Sequence, residues 1–188
     1  PKPSSAASDV YKRQLLNYQF KSNRLLEEAL THSSARKSSK ANNERLEFLG
    51  DRVLGLIIAE ELLRLNPNST EGQIATYYNY LVKKETCALI AKEIGLENLL
   101  TLGKSVKRTS NRQKDKILGN AVEALIAAIF LDSGFKTSKE IVLKVWRKQI
   151  DIVRDIEAHA KTALQELLQS EGQDCLLYTS DAADEGLG

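Results

Sequence analysis

Apolar residues recur at three- and four-residue spacing along most of the chain, the period of helices that bury one face. Tyr18 to Phe20 leads into a first helix that Ser22 can cap, running through Leu25, Leu26, Ala29 and Leu30 to about His32. Ser33 to Ala41 is polar and basic and reads as a loop. The next helix starts near Asn42 or Asn43 and runs to about Leu65, where Asn66-Pro67-Asn68 stops it. Its broad apolar side predicts the central, most buried helix. Gly50 and Gly55 inside it each cost about 1 kcal/mol against Ala, which a close helix crossing would explain. Ser69 or Thr70 caps a helix through Ile74, Tyr77, Tyr78 and Leu81, and another spans about Lys84 to Ile94 with Gly95 as its C-cap. Leu96 to Leu102 predicts a short helical turn, and Gly103 to Lys116 has no apolar period. A helix from about Asp115 to Leu131 is nearly all apolar beyond Glu123 and ends at Asp132-Ser133-Gly134. Thr137 with Glu140 forms a capping box for an amphipathic helix through Ile141, Val145, Trp146, Ile150 and Val153. Lys161 to Gln169 is a last helical pattern. No run alternates with period two, so the expected fold is all-α.

Composition narrows this picture little. The chain has 188 residues, 42% apolar and 28% charged, which suits one ordinary soluble domain and part of another. No apolar run approaches the ~18 residues of a membrane span, no signal peptide is expected, and no membrane partner is expected. Methionine is absent, and the ends are unusual. Ser4 to Gln14 reads SSAASDVYKRQ and Cys175 to Glu185 reads CLLYTSDAADE. One codon choice for the first, read on the opposite strand in a shifted frame, encodes the second. Residues 1–14 and 175–188 are therefore expected to be tails derived from a sequencing adapter. The net charge of +2 is too small to identify a partner. Cys87 is the one cysteine outside those tails, so no internal disulfide is expected, which fits a reducing cytoplasm.

Candidate chemistry sits on two apolar helices. In Asn43-Glu44-Arg45-Leu46-Glu47-Phe48-Leu49-Gly50-Asp51, the carboxylates of Glu44, Glu47 and Asp51 fall on one helical face. In Lys116 to Leu125, Asn120 and Glu123 are neighbours one turn apart. Side by side, two such helices would gather Glu47, Asp51, Asn120 and Glu123 into an oxygen-rich site suited to Mg²⁺ or Mn²⁺. The alternative is that the acids pair with Arg45, Arg52 and the lysines of the basic loop. His32 stands alone and reads as a packing or capping residue. The segment Gly103 to Lys116 carries Lys104, Lys107, Arg108, Arg112, Lys114 and Lys116, which suits either phosphate contact or an ordinary solvated loop.

Residues 43–51 resemble the signature of the ribonuclease III family. So do Leu30-Thr31-His32-Ser33-Ser34 upstream, Glu71-Gly72 and Leu81 to Thr86 in the middle, and Ile117 to Asp132 as a second acidic motif. Lys161 to Gln169 resembles the first helix of that family's double-stranded RNA-binding domain. The resemblance covers residues 15–174 and implies an all-helical catalytic domain over 15–156, with 157–174 a linker and first-helix remnant of an α/β RNA-binding domain. It further implies a homodimer that cuts double-stranded RNA with Mg²⁺, leaving 5′-phosphates and 3′ overhangs, in ribosomal RNA maturation and messenger RNA turnover. Position by position, Glu47, Asp51 and Glu123 take the catalytic metal-binding roles. Glu44 supports the centre, Glu71 lines the RNA valley and Phe48 inserts into the partner subunit.

Asn120 stands where the resemblance implies Asp. An amide oxygen still ligates Mg²⁺ but brings no charge, so weaker or more metal-demanding activity is expected. Three other readings compete. A non-catalytic relative is opposed by Glu47, Asp51 and Glu123, and a di-iron bundle by the absence of Glu-x-x-His pairs. A compact relative without an RNA-binding domain is opposed by Lys161 to Gln169.

Overall fold

The computed structural model describes residues 18–35, 42–103, 106 and 110–170, with side chains described as far as Asp155. The two tails, Arg36 to Ala41 and Lys104, Lys107 and Arg108 lie outside the described residues. The helices are α1 (Asn23–Ala29), α2 (Glu44–Leu65), α3 (Glu71–Val82), α4 (Lys84–Glu93) and α5 (Asn111–Ser170), with short 3₁₀ turns at Ser33–Ala35 and Leu96–Asn98. No strand occurs among the described residues. One isolated parallel bridge joins Thr31 to Thr101, with His32 N–H donating to Thr101 O and Thr101 N–H to Leu30 O. That bridge ends α1 at Ala29, three residues before the expected end, because the backbone of Leu30 to His32 pairs with residue 101 instead of extending the helix.

Local chemistry accounts for most boundaries. Thr70 Oγ1 accepts from Gln73 N–H while the Gln73 side chain accepts from Thr70 N–H, a complete capping box at the start of α3. Gly95, at φ 66°, lies in the left-handed region just past α4. Only Lys83, with extended backbone, separates α3 from α4. The last carbonyls of α3 are taken by side chains: Thr86 Oγ1 donates to Tyr80 O at 2.6 Å, Trp146 Nε1 to Leu81 O at 2.9 Å and Cys87 Sγ to Val82 O at 3.7 Å. These bonds satisfy groups a helix end would otherwise leave open, and they fix where α4 begins.

Three further expectations change. The helix starting near Asp115 begins at Asn111 instead, so Arg112, Lys114 and Lys116 stand on the first turns of α5 rather than in a loop. The capping box at Thr137 does not start a new helix. Gly134, at φ 81°, is the break, Ser138 Oγ donates to Gly134 O at 2.9 Å, and Thr137 is already helical. Leu96 to Leu102 shortens to the turn at Leu96–Asn98.

The core lies where α5 meets α1 and α2. Ala29, Leu46, Ala124, Ala127 and Ala128 form a buried cluster with Phe20, Leu25 and Leu49 against it. Small side chains on α5 let the neighbouring helices approach closely. Nine residues of α2 are buried, but in α5 every residue from Ile117 to Ile129 except Asn120 is buried. The central helix is therefore the first part of α5, because that stretch is apolar on all sides. Its length and composition would let Asn111–Asp155 cross a bilayer, yet 67% of its most apolar window is buried in the protein, as in a core helix. The chain divides into two compact units, 1–147 and 148–188. The second contains the remainder of α5, where Arg154 approaches Asp151 at 3.8 Å.

Candidate active site

Helices α2 and α5 cross at Gly50. A Cβ there would lie 1.8 Å from the carbonyl oxygen of Glu123, so only glycine permits this approach. The close crossing expected at Gly50 is therefore present, and Gly55 likewise faces the Tyr78 hydroxyl. On the other side of α5, a Cβ at Gly119 would lie 3.0 Å from the carbonyl oxygen of Lys84, so the start of α4 also presses against α5. Three helices thus converge beside Asn120 and Glu123.

Glu123 is buried to 1% exposure. Its Oε2 accepts from Lys84 Nζ at 2.5 Å, and the same ammonium reaches Glu47 Oε1 at 3.4 Å. Glu47 and Glu123, far apart in sequence, therefore share one cation. Asp51 is close enough for its charge to act on Glu123 and on Cys87, while its side chain pairs with Arg52 at 3.0 Å on the surface. Asn120 lies in a pocket with Glu44, Glu47, His32, Asn43 and Lys116. Of the two alternatives for the acids, the ion-pairing one is present in the structure. Arg52 and Lys84 pair with them, yet Lys84 came from α4 rather than from the basic segment.

Burial pushes the Glu123 carboxyl up from its ordinary value, and the charges of Asp51 and Glu47 add to this against the pull of Lys84. Burial also opposes the charge on Lys84, but Glu123 and Glu47 outweigh it and raise the amine. The first shift favours a neutral acid and the second a charged amine. At 2.5 Å we assign the ion pair, since a neutral Glu123 would leave the ammonium without its main partner. Cys87, buried beside them, is pushed up to about 12 by burial first and then by the charge of Glu123. It is an inert core thiol at neutral pH.

Two buried oxygens here, Glu123 Oε1 and Asn120 Oδ1, have no hydrogen-bond partner among the described residues, and neither does the donor Asn43 Nδ2. Orphaned buried oxygens of this kind are rare, and a hard divalent cation would satisfy both. Among the described residues no three His, Cys, Asp or Glu side chains are gathered closely enough to hold a metal by themselves. The donor set fits a hard cation in kind, and Lys84 holds two of the carboxylates around an ammonium.

The other anticipated residues are more dispersed. Glu44 is exposed, and its side chain and backbone bond to Asn42. Glu71 opens α3 on the surface, with no described contact to Glu47, Asn120 or Glu123. Arg112 and Lys116 line a second pocket with Lys84, Ser110 and Asp115, and Lys114 is exposed beside it. His32 accepts at Nδ1 from Ser34 N–H at 3.2 Å and meets Ser34 Oγ at 2.8 Å, which agrees with its reading as a capping residue. Phe48 is 68% exposed with the Arg52 guanidinium 5.6 Å from its ring. Around it Leu25, Leu46, Leu49 and Leu131 line a shallow depression. In the sequence Lys84 lies within the Leu81 to Thr86 stretch that resembles the family's middle helices. A signal for it did exist: a cation in the first turn of a helix opposes the helix dipole and so calls for an anionic partner.

The model of the ribonuclease-III-like family matches residues 22–150. The chain is 48% identical to ribonuclease 3 of Dinoroseobacter shibae over 157 residues, covering 84% of this chain and 69% of that protein. It is 49% identical to ribonuclease 3 of Cereibacter sphaeroides over 144 residues, covering 77% and 63%. The chain thus spans about two thirds of the length of these relatives. Among solved structures, the nuclease domain of ribonuclease III from Campylobacter jejuni superposes with a TM-score of 0.67 at 37% identity, over 74% of this chain and 96% of that one. The all-α arrangement around α2 and α5 is that of the nuclease domain, and this chain belongs to the ribonuclease III family of endoribonucleases.

Proposed function

We propose that the chain hydrolyses phosphodiester bonds of double-stranded RNA as a homodimer, at a metal-dependent centre built from Glu47, Asp51, Asn120 and Glu123. The observation that carries this reading is the convergence of Glu47 and Glu123 on one cation, beside two buried oxygens that lack partners. Oxygen donors of this kind would hold Mg²⁺, with Mn²⁺ as a substitute. Such an ion supplies the charge that activates water and stabilises the leaving oxygen.

The chain's own residues set the geometry of the reaction. The crossing at Gly50 anchors Glu123, so its carboxylate cannot retreat from the centre. Glu47 and Asp51 stand one turn apart on α2 and are part-exposed, which leaves them open to a substrate phosphate. Arg112, Lys114 and Lys116 on the first turns of α5 are placed to contact the backbone of an RNA duplex, with Lys104, Lys107 and Arg108 preceding them in sequence. Recognition would rest on A-form shape and 2′-hydroxyls rather than on base identity. Glu71 would line the same valley and Glu44 would support the centre. Phe48 and the apolar depression around it form the surface for a second copy. The structural neighbour from Campylobacter jejuni, described for a region involved in dimer formation, supports a dimer in general.

Two centres, one per subunit, would leave 5′-phosphates and 3′ overhangs. Residues 15–156 would form the catalytic domain, with the start of an RNA-binding domain in 157–174. The cellular role would be ribosomal RNA maturation and messenger RNA turnover in the cytoplasm. Incubation with a long RNA duplex, with and without Mg²⁺, should give staggered fragments only with the metal. Single-strand products or metal-independent cleavage would reject the reading.

Asn120 favours a second reading in degree: a centre of the same design with weakened activity. Its amide oxygen brings no charge to a site where two of the three carboxylates, Glu47 and Glu123, already share an ammonium. Asn120→Asp should raise cleavage most at low Mg²⁺ and little at saturation. Equal activity of the two proteins at low Mg²⁺ would sink this idea.

A further inference from the structure

We propose that the Lys84 ammonium is a resident cation of the acidic centre, competing with a divalent ion for Glu47 and Glu123 and limiting how strongly the chain binds metal. The inference rests on the metal-dependent reading of the same site.

Three observations carry it. The ammonium lies between the two carboxylates, at 2.5 Å from Glu123 and 3.4 Å from Glu47. Its backbone is fixed. The carbonyl of Lys84 abuts Gly119, and Thr86 and Cys87 anchor the first turn of α4 to the end of α3. A charge tethered this way is present at high effective concentration whatever the metal concentration in solution. Its side chain is also 40% exposed, so it has room to swing outward when a stronger cation arrives.

The charge balance points the same way. Glu47, Asp51 and Glu123 bring three negative charges and Asn120 none, while Lys84 offsets one and Arg52, beside Asp51, another, so the centre holds resident positive charge before any metal arrives. Placing a lysine in the first turn of α4 also opposes the helix dipole, so this position is held by the carboxylates rather than by helix formation. Lys84 is thus a positioning residue: in the absence of metal it holds Glu123 in place by a direct hydrogen bond.

Mn²⁺ binding to the full chain, followed by electron paramagnetic resonance, tests this without reference to activity. Lys84→Met should bind Mn²⁺ about tenfold more tightly or more, the size of effect one neighbouring charge has on an ionic equilibrium. Lys84→Arg keeps the charge and should bind like the parent chain. In EDTA, Lys84→Met should melt at a lower temperature than the parent, because Glu123 is left buried without a partner, and Mn²⁺ should raise its melting temperature more than the parent's. Equal or weaker Mn²⁺ binding by Lys84→Met, with binding abolished in Glu123→Gln, would overturn the role of Lys84 and leave the metal centre standing. No Mn²⁺ binding by any of the proteins would overturn the metal centre and this inference with it.

Discussion

A methyl group at Gly50 would collide with the backbone of Glu123, whereas one at Gly72, on exposed α3, would meet nothing within 4 Å. The two glycines therefore predict opposite outcomes. Gly50→Ala should destabilise the protein by about 1–3 kcal/mol, since α2 and α5 must part to admit it. Gly72→Ala should be neutral or stabilising by up to about 1 kcal/mol through helix propensity. Urea unfolding of both variants checks this, and an unchanged midpoint for Gly50→Ala would contradict the crossing. The sequence marks Gly50 as costly in a helix, and Gly72 also stands inside a helix. Only the facing carbonyl of Glu123 distinguishes them. The same holds for Lys84: its oddity at a helix start is legible, and its partners are not.

The segment before α1 is tied down by one carboxylate. Asp132, near the end of the apolar stretch of α5, accepts from the Tyr18 hydroxyl at 2.5 Å and from the backbone N–H groups of Lys21 and Ser22 at 2.9 Å each. Burial tends to raise its carboxyl, but these three bonds and the charge of Lys21 outweigh it and hold the group below its ordinary value of 3.8. A folded carboxyl that gives up its proton more readily than the unfolded one contributes stability above pH 3.8. That contribution is lost as the pH falls through the lowered value. Asp132→Ala should cost about 1–3 kcal/mol at pH 7, with the gap to the parent chain shrinking below pH 3.8. Denaturant unfolding from pH 7 to pH 3 measures it, and a gap independent of pH would reject the clamp. Glu61, held low by the hydrogen bond from Arg64, adds a loss in the same direction. Glu123 acts oppositely: its raised pKa adds stability that is complete below its ordinary 4.5 and is lost as the pH rises through the raised value. Among the elements, a cap at Ser69 or Thr70 was legible because every participant lies within four residues, and Thr70 with Gln73 supplies it. The one at Thr137 failed because Gly134 adopts the positive φ that breaks the helix three residues earlier. Asp132 read as a helix terminator, and its grip on Tyr18 could not be read, since 114 positions separate them.

Phe48 and Leu131 are both exposed, with Arg52 over the Phe48 ring, and this is the surface proposed for a second copy. Phe48→Ser should shift the chain from dimer toward monomer in sedimentation velocity at micromolar concentration, leaving the helical circular dichroism intact. A dimer of unchanged strength would show that the subunits associate elsewhere. By itself, the sequence determined the all-α class, most helix ends, the acidic positions and the family resemblance. Each of these is written in spacing and residue type within a few turns of chain. Tertiary structure decided which helix is central, where α2 and α5 cross, and that Lys84 arrives between acids 37 and 39 positions away. The physical reason is that these depend on how closely backbones can approach. That is set by glycines that admit a facing backbone, Gly50 against Glu123 and Gly119 against Lys84, and no local period encodes such a meeting.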